Sequence, residues 1–445
     1  MMRERNRPRT ATTGREVLAA IALILVSLGV RAAPLLSGPG PFIDDSVQTE
    51  DTPAGRLVRE GIRAKLNGDP TTARAKFEAA LKLDQSYAPA LIGLAGVAQS
   101  EGNDLQVRQH LQRAERASPK SADVQLALGR YVLAKGQHAE AEAHFLKARE
   151  LAPKKIPPLL VLGEFYLRMP GRNSDAVRVY RTATEIAPSS GIAQYGLGVA
   201  LAATGKRDEA IRALEKSAAL TPLDPAAFRA VGHLYLERGE LDKALAAFDR
   251  SLERHPKYVP AMLDRGDTLA RMSRTNDAIE QMLAAEKLEP KSAEIQVRLA
   301  DVYQSAKRYP EAEKRYLNAI SLAPKNSLAY NNLAWMTLVS NGSANKAVEL
   351  ASKAVELSPK SSPLHDTLGW AHRAAGNLTA AQVTLKRAIE LEPNVAAYHY
   401  HLGVVQRELK QPAAARSSLQ RALELDPKLP QADEVRKALK EIVAQ

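Results

Sequence analysis

Two tryptophans are the side chains of this sequence best suited to a recognition site. Trp335 and Trp370 are the only tryptophans of the chain, and they lie 35 residues apart. Each follows a polar side chain by four residues, Asn331 in one case and Asp366 in the other, and Arg373 comes three residues after Trp370. A large ring buries apolar area and a guanidinium orients a partner, so this combination indicates binding chemistry.

No pattern in the sequence indicates catalysis or a bound metal. The chain has nine histidines and no cysteine. His399 and His401 form the one close pair, but residues two apart on a helix point in different directions and do not readily share a metal. The sequence also lacks a glycine-rich phosphate loop and a nucleophile elbow. We therefore predict a non-enzymatic protein without catalytic residues, metal or cofactor.

A regular repeat must position the recognition side chains. Prolines recur at nearly even spacing, at positions 119, 153, 188, 222, 256, 290, 324, 359, 393 and 427. Counting back from them gives eleven units, which begin near residues 54, 88, 122, 156, 191, 225, 259, 293, 327, 362 and 396. A small residue, usually alanine, occupies the twentieth place of each unit, and a large apolar residue often follows four places later. Proline then ends the unit, so each unit is predicted as helix, turn, helix, proline.

The pattern of Leu, Gly, Tyr, Ala, Phe, Ala and Pro in these units resembles the tetratricopeptide repeat family over residues 54–429. The resemblance implies an all-α fold: a right-handed superhelical solenoid of about eleven helix-turn-helix repeats. Residues 430–445 carry Val435, Leu439 and Ile442 between charges, which predicts a C-terminal capping helix. The composition, rich in alanine, leucine and charged residues, is typical of a helical array.

Members of this family line a concave groove with places 2, 5, 9, 12 and 13 of the first helix of each unit. Carried over to this chain, these places form a candidate partner-binding patch that consists of Trp335, Trp370, Asn331, Asp366, Arg373, Tyr400 and Arg407. A second interpretation stays open, in which both tryptophans fill gaps between packed repeats.

Repeats nine and ten also resemble a narrower group. The stretches 331–335 (NNLAW) and 366–370 (DTLGW) are similar to a pair found in exported bacterial tetratricopeptide proteins, some of which accompany exopolysaccharide secretion or PEP-CTERM-type sorting. This resemblance implies a role in the cell envelope.

The segment 1–32 predicts an export signal. Five arginines between positions 3 and 15 precede an apolar run, residues 17–30, which falls short of the roughly 20 residues that a spanning helix needs. Small residues favour cleavage after Ala32, and the alternative is an uncleaved membrane anchor. Residues 33–53 are predicted as a flexible linker. We expect a bacterial periplasmic protein, soluble or tethered to the inner membrane, whose only membrane contact is this N-terminal segment.

Charge narrows the class of partner. The net charge is +12, but part of it lies in the segment 1–32, and basic side chains elsewhere alternate with glutamates. This pattern does not predict nucleic-acid binding. The predicted function is a protein-interaction scaffold of the bacterial cell envelope, binding envelope proteins or peptide segments and supporting exopolysaccharide secretion or assembly. The alternative is a groove that binds an anionic glycan, such as an acidic polysaccharide or peptidoglycan, directly.

Overall fold

A computed structural model describes residues 51–221 and 224–443 of the chain, and these residues form 23 α-helices and no strand. They divide into two compact bodies at the boundary between Glu240 and Leu241. The first body contains α1 (Pro53–Leu66), α2 (Pro70–Leu83), α3 (Ala88–Ser100), α4 (Asp104–Ala117), α5 (Ala122–Ala134), α6 (His138–Leu151), α7 (Ile156–Arg168), α8 (Asn173–Ile186), α9 (Gly191–Ala203), α10 (Arg207–Leu220) and α11 (Ala226–Glu237). The second contains α12 (Leu241–Arg254), α13 (Val259–Arg271), α14 (Thr275–Leu288), α15 (Ala293–Ser305), α16 (Tyr309–Leu322), α17 (Ser327–Val339), α18 (Ala344–Leu357), α19 (Ser362–Ala374), α20 (Leu378–Leu391), α21 (Ala396–Glu408), α22 (Pro412–Leu425) and α23 (Ala432–Val443).

Within each body the helices pack as successive pairs. An odd-numbered helix, here called an A helix, packs on the even-numbered B helix that follows it in the same body, as α9 does on α10 and α19 on α20. Each A helix also contacts the next A helix of the same body, so the A helices of each body form a continuous face. The all-helical repeat solenoid predicted from the sequence is confirmed.

Close approach of the two helices in a pair explains the small residues of the repeat. The alanines in the twentieth place are inaccessible to solvent, as Ala141 and Ala312 show. In the eighth place, a Cβ on Gly163 would lie 2.6 Å from the ring of Tyr180. The same ring abuts Gly196 of the next A helix, so Tyr180 fills a slot between two glycines. A side chain at either glycine would push the helices apart.

Each turn between an A helix and its B helix contains one residue in the left-handed backbone conformation, with positive φ. Glycine supplies it in most repeats, with φ between 72° and 78° from Gly68 to Gly376. Four repeats use a residue with a side chain instead, and the positive φ values are 62° at Ser273, 58° at Lys307, 57° at Asn341 and 57° at Lys410. A Cβ makes this conformation unfavourable, so these turns carry local strain.

The C-terminal helix α23 covers the end of the second body, as expected. It packs on α22 and buries Val435 and Ala438. At the other end, the predicted export segment (1–32) and the linker up to residue 50 lie outside the described residues. Among the helices of residues 51–221 and 224–443, none has the length and apolar character needed to cross a membrane.

Candidate functional site

The A-helix face of the second body exposes an apolar strip on α17. Leu328 is 45% exposed, Val339 is 41% exposed, and Trp335 between them is partly exposed. At about 100° per residue these three side chains project within roughly 40° of one another, on one side of the helix. We call them the α17 stripe. Apolar side chains aligned on the open side of a packed helix provide a surface that can dock a partner.

Asn331 and Asn332 lie beside the α17 stripe but are buried. Asn331, predicted as a groove residue, is only 6% exposed, because α15 and α19 flank α17 on both sides. Its amide nitrogen lies 3.4 Å from the Oδ1 atom of Asn332, and Asn332 donates to Asp301 of α15 at 3.1 Å. The asparagines therefore join neighbouring A helices and offer a partner little surface.

Next to the stripe lies a group of three aspartates, which we call the aspartate cluster: Asp264 and Asp267 of α13 and Asp301 of α15. Arg298, also on α15, forms ion pairs with Asp267 and, at 3.6 Å, with Asp264. Asp301 instead accepts hydrogen bonds from Asn332 and from the hydroxyl of Tyr316.

Burial dominates the electrostatics of the aspartate cluster. It raises the pKa of Asp301 to about 7, opposed by the hydrogen bonds from Tyr316 and Asn332. It also raises the pKa of Asp267, against the attraction of Arg298. The Asp264 side chain is 5% accessible, whereas that of Asp267 is 27% accessible. Asp267 is thus the carboxylate of the pair on α13 that a partner can reach.

Trp370 is held in a side-chain cluster between repeats ten and eleven. Its ring stacks on His401 with centroids 4.2 Å apart, and the Arg373 guanidinium lies 4.5 Å from the ring centre. Asp366 hydrogen-bonds Nδ1 of His401 at 2.7 Å, and Arg373 pairs with Glu408 of α21. The structure therefore brings Trp370, Asp366 and Arg373 together around His401, a histidine that the sequence analysis did not assign to the site.

Tyr400 and Arg407, the last two predicted groove residues, are engaged by the C-terminal helix. Tyr400 is 7% exposed and donates a hydrogen bond to Glu434 at 3.2 Å. Arg407 pairs with Glu441 at 3.0 Å. Tyr400 is thus buried rather than displayed on the surface, because α23 supplies a partner that repeat position alone did not reveal.

Two other histidines contact the backbone of the turn that precedes their helix. His365 and His399 occupy the fourth place of repeats ten and eleven, and each places Nε2 2.9 Å from a proline carbonyl in the preceding turn, Pro359 and Pro393 respectively. Across the two described ranges, no three histidine, aspartate or glutamate side chains gather in a way that could hold a metal ion.

Sequence reasoning missed the aspartate cluster, although a signal for it exists. Asp264 and Arg298 occupy place 6 of consecutive repeats, while Asp267 and Asp301 occupy place 9. Neighbouring A helices bring place 9 of one repeat against place 6 of the next, as the contacts of Asp267 with Arg298 and of Asp301 with Asn332 show. Reading places 6 and 9 across repeats, rather than along one helix, would have predicted charged contacts at this point.

Comparison with known proteins agrees with the fold. The tetratricopeptide repeat family model matches residues 108–156, 171–225, 201–259, 263–326, 297–362 and 367–430, which together span more than half of the chain. The chain therefore belongs to the tetratricopeptide repeat family, and its fold is that of a protein-interaction scaffold. No curated protein sequence matches it.

The chain is similar to several solved structures. The crystal structure of yeast Tom70 is similar at a TM-score of 0.52 and 14% identity, over 88% of this chain and 96% of that one. The APC/C hetero-tetramer Cut9-Hcn1 gives a TM-score of 0.47 at 15% identity, over 88% and 96%. The human IFIT1 dimer with PPP-AAAA gives 0.46 at 17% identity, over 82% and 89%. At this identity, the likeness to Tom70 establishes the fold alone.

Proposed function

We propose that this protein is a non-enzymatic scaffold of the bacterial cell envelope, which docks protein partners of an exopolysaccharide secretion or assembly system on its A-helix face. The observation that carries the docking function is the α17 stripe, where Leu328, Trp335 and Val339 leave apolar surface open on a helix that is otherwise packed. The envelope assignment rests on the N-terminal sequence and on the pair of motifs at Trp335 and Trp370.

The charges of this face favour a protein over an anionic glycan. The aspartate cluster borders the α17 stripe, and the arginine in that cluster, Arg298, is already shared between Asp264 and Asp267. A polyanion approaching the stripe meets like charge, which opposes binding. The glycan alternative therefore needs another surface of the chain.

Site-specific photo-crosslinking tests the docking surface. A photoreactive residue replaces Val339 in the α17 stripe, and the matched control replaces Val383, which is 64% exposed on the B helix α20. We expect a discrete crosslinked protein from position 339 and none from position 383 in living cells. Equal products at both positions, or none at 339, would contradict docking on this face.

A separate measurement tests the location. Protease added to intact cells, and then to cells with a permeabilised outer membrane, should digest the repeats only in the second case if they lie in the periplasm. Digestion only after lysis of the inner membrane would overturn the envelope assignment. The docking surface would then still be supported by the crosslinks from position 339.

A further inference from the structure

The α17 stripe and the aspartate cluster form one continuous surface. Helix α15 packs against α17, and the hydrogen bond from Asn332 to Asp301 joins the two helices directly. The axes of packed helices lie roughly 8–10 Å apart, so Asp301 on α15 is about one helix spacing from α17, and Asp267 on α13 is about two spacings, roughly 16–20 Å, from it.

The aspartate cluster concentrates carboxylates around one arginine. The guanidinium of Arg298 attracts all three carboxylates of the cluster, Asp264, Asp267 and Asp301. It also pairs with Glu294 at 2.7 Å. Arg271 attracts Asp267 from within α13, and Tyr316 of α16 donates a hydrogen bond to Asp301. A buried carboxylate without a fully matching charge is unfavourable, and an incoming cation would relieve it.

Accessibility determines where that cation can come from. Asp264 is closed off, but 27% of the Asp267 side chain is open, and Asp301 is partly exposed. A lysine or arginine from a partner can therefore reach Asp267 from the same side that exposes the α17 stripe.

We propose that the aspartate cluster and the α17 stripe together bind an extended peptide segment of a protein partner, with a lysine or arginine on Asp267 and an apolar side chain on Leu328 and Trp335. This inference rests on the proposed docking function and gives its partner a chemistry. A polyproline-II segment rises about 3.1 Å per residue with three residues per turn, so side chains six positions apart lie about 19 Å apart on one side. The spacing between Asp267 and the α17 stripe thus selects a basic residue and an apolar residue about six positions apart.

Fluorescence anisotropy with synthetic peptides tests the proposal on the full chain. The probe is a labelled twelve-residue peptide of serine and proline with one lysine and, six positions later, one leucine. Two further probes carry glutamate in place of the lysine or serine in place of the leucine. We expect the first probe to bind and each altered probe to bind at least tenfold more weakly, at low salt where surface charge is least screened.

Matched variants locate the binding. Asp267→Asn, Leu328→Ser and Trp335→Ala should each weaken binding of the first probe by roughly tenfold. The controls are Asp277→Asn, an aspartate 48% exposed on α14, and Leu317→Ser, a leucine 47% exposed on α16, and both should leave affinity unchanged. Circular dichroism confirms equal helicity of all five variants. Equal losses in variants and controls would overturn the proposal.

Proton linkage gives an independent readout. Because the pKa of Asp301 is about 7, this carboxyl is largely neutral at pH 6 and ionised at pH 8, and the cluster is more negative at the higher pH. Affinity for the lysine probe should rise several-fold from pH 6 to pH 8, and this rise should disappear in Asp301→Asn. If affinity for the lysine probe rises equally with pH in Asp301→Asn, then Asp301 does not cause the pH dependence of binding.

The outcomes separate this inference from the proposed function. Crosslinks at position 339 together with equal binding of the lysine and glutamate probes would overturn the basic-peptide chemistry and leave the scaffold intact. Absence of both crosslinks and peptide binding would overturn both. Tighter binding of a polyuronate than of the lysine probe, lost in Trp335→Ala, would overturn the inference in favour of a glycan.

Discussion

Replacing Asp301 by asparagine should change how the stability of repeats eight and nine depends on pH. The native carboxyl has a pKa of about 7, against an ordinary value of 3.8. Between these values the folded chain holds a proton that the unfolded chain has released, so stability falls as pH rises from about 4 to about 7 and is level above. Asparagine removes this titration while its Oδ1 atom still accepts from Tyr316 and Asn332.

The magnitude follows from the pKa difference. Each pH unit in that window corresponds to about 1.4 kcal/mol, so the parent loses up to about 3 kcal/mol between pH 5 and pH 7 that the variant does not. Water reaching the partly exposed carboxyl reduces this figure, and we expect about 2 kcal/mol. Any effect of the amide on stability that does not depend on pH cancels, because each protein is compared with itself at two pH values.

Native-state hydrogen exchange is the suitable assay, since a repeat array opens locally rather than in one step. Opening free energies are compared at pH 5 and pH 8 for peptides from α15 and α17, after correction for the intrinsic exchange rates. Asp277→Asn, which alters an exposed carboxylate on α14, is the matched control and should keep the pH dependence of the parent. The same pH dependence in parent and Asp301→Asn would refute the reasoning.

Three further outcomes follow from packing and backbone geometry. Gly163→Ala should destabilise α7 and α8 by about 1–3 kcal/mol, measured by local hydrogen exchange, because the new Cβ meets the Tyr180 ring; unchanged protection would mean that the ring can move aside. Lys307→Gly should stabilise repeat eight by about 1 kcal/mol by relieving its positive φ, and a lower urea midpoint would contradict this. Trp370→Ala should destabilise α19 and α21 by about 2 kcal/mol through loss of its contact with His401, and equal protection in parent and variant would show that the ring does not hold the repeats together.

The sequence predicts the helical part of this fold closely because its signals are local. A buried alanine in the twentieth place, a turn glycine and a closing proline each act within a few residues of their position. The site depends on contacts between repeats, and there prediction is only partial. Trp370 is partly covered by His401 from the neighbouring helix α21 and by Arg373 from its own helix α19, whereas the α17 stripe at Trp335 leaves apolar surface open.

A single sequence could not predict that Asn331 and Tyr400, two of the predicted groove residues, are buried. Asn331 and Tyr400 occupy a place that lines the groove elsewhere in the family, but here the flanking helices and α23 cover them. The aspartate cluster shows the same limit, since Asp264 and Asp301 are 37 positions apart in the chain. Their proximity arises only when two A helices pack, and the rise in the pKa of Asp301 follows from that packing.

The ring of Tyr180 between Gly163 and Gly196 restricts how such an array can be rearranged. Repeat four accepts as its successor only a repeat with glycine in the sixth place, because any Cβ there would overlap the ring. Repeat eight, with Arg298 in that place, does not fit behind it. The repeats are therefore not interchangeable modules, and an engineer who shortens or lengthens this protein must cut and splice it in segments that keep Tyr180 with both of its glycines.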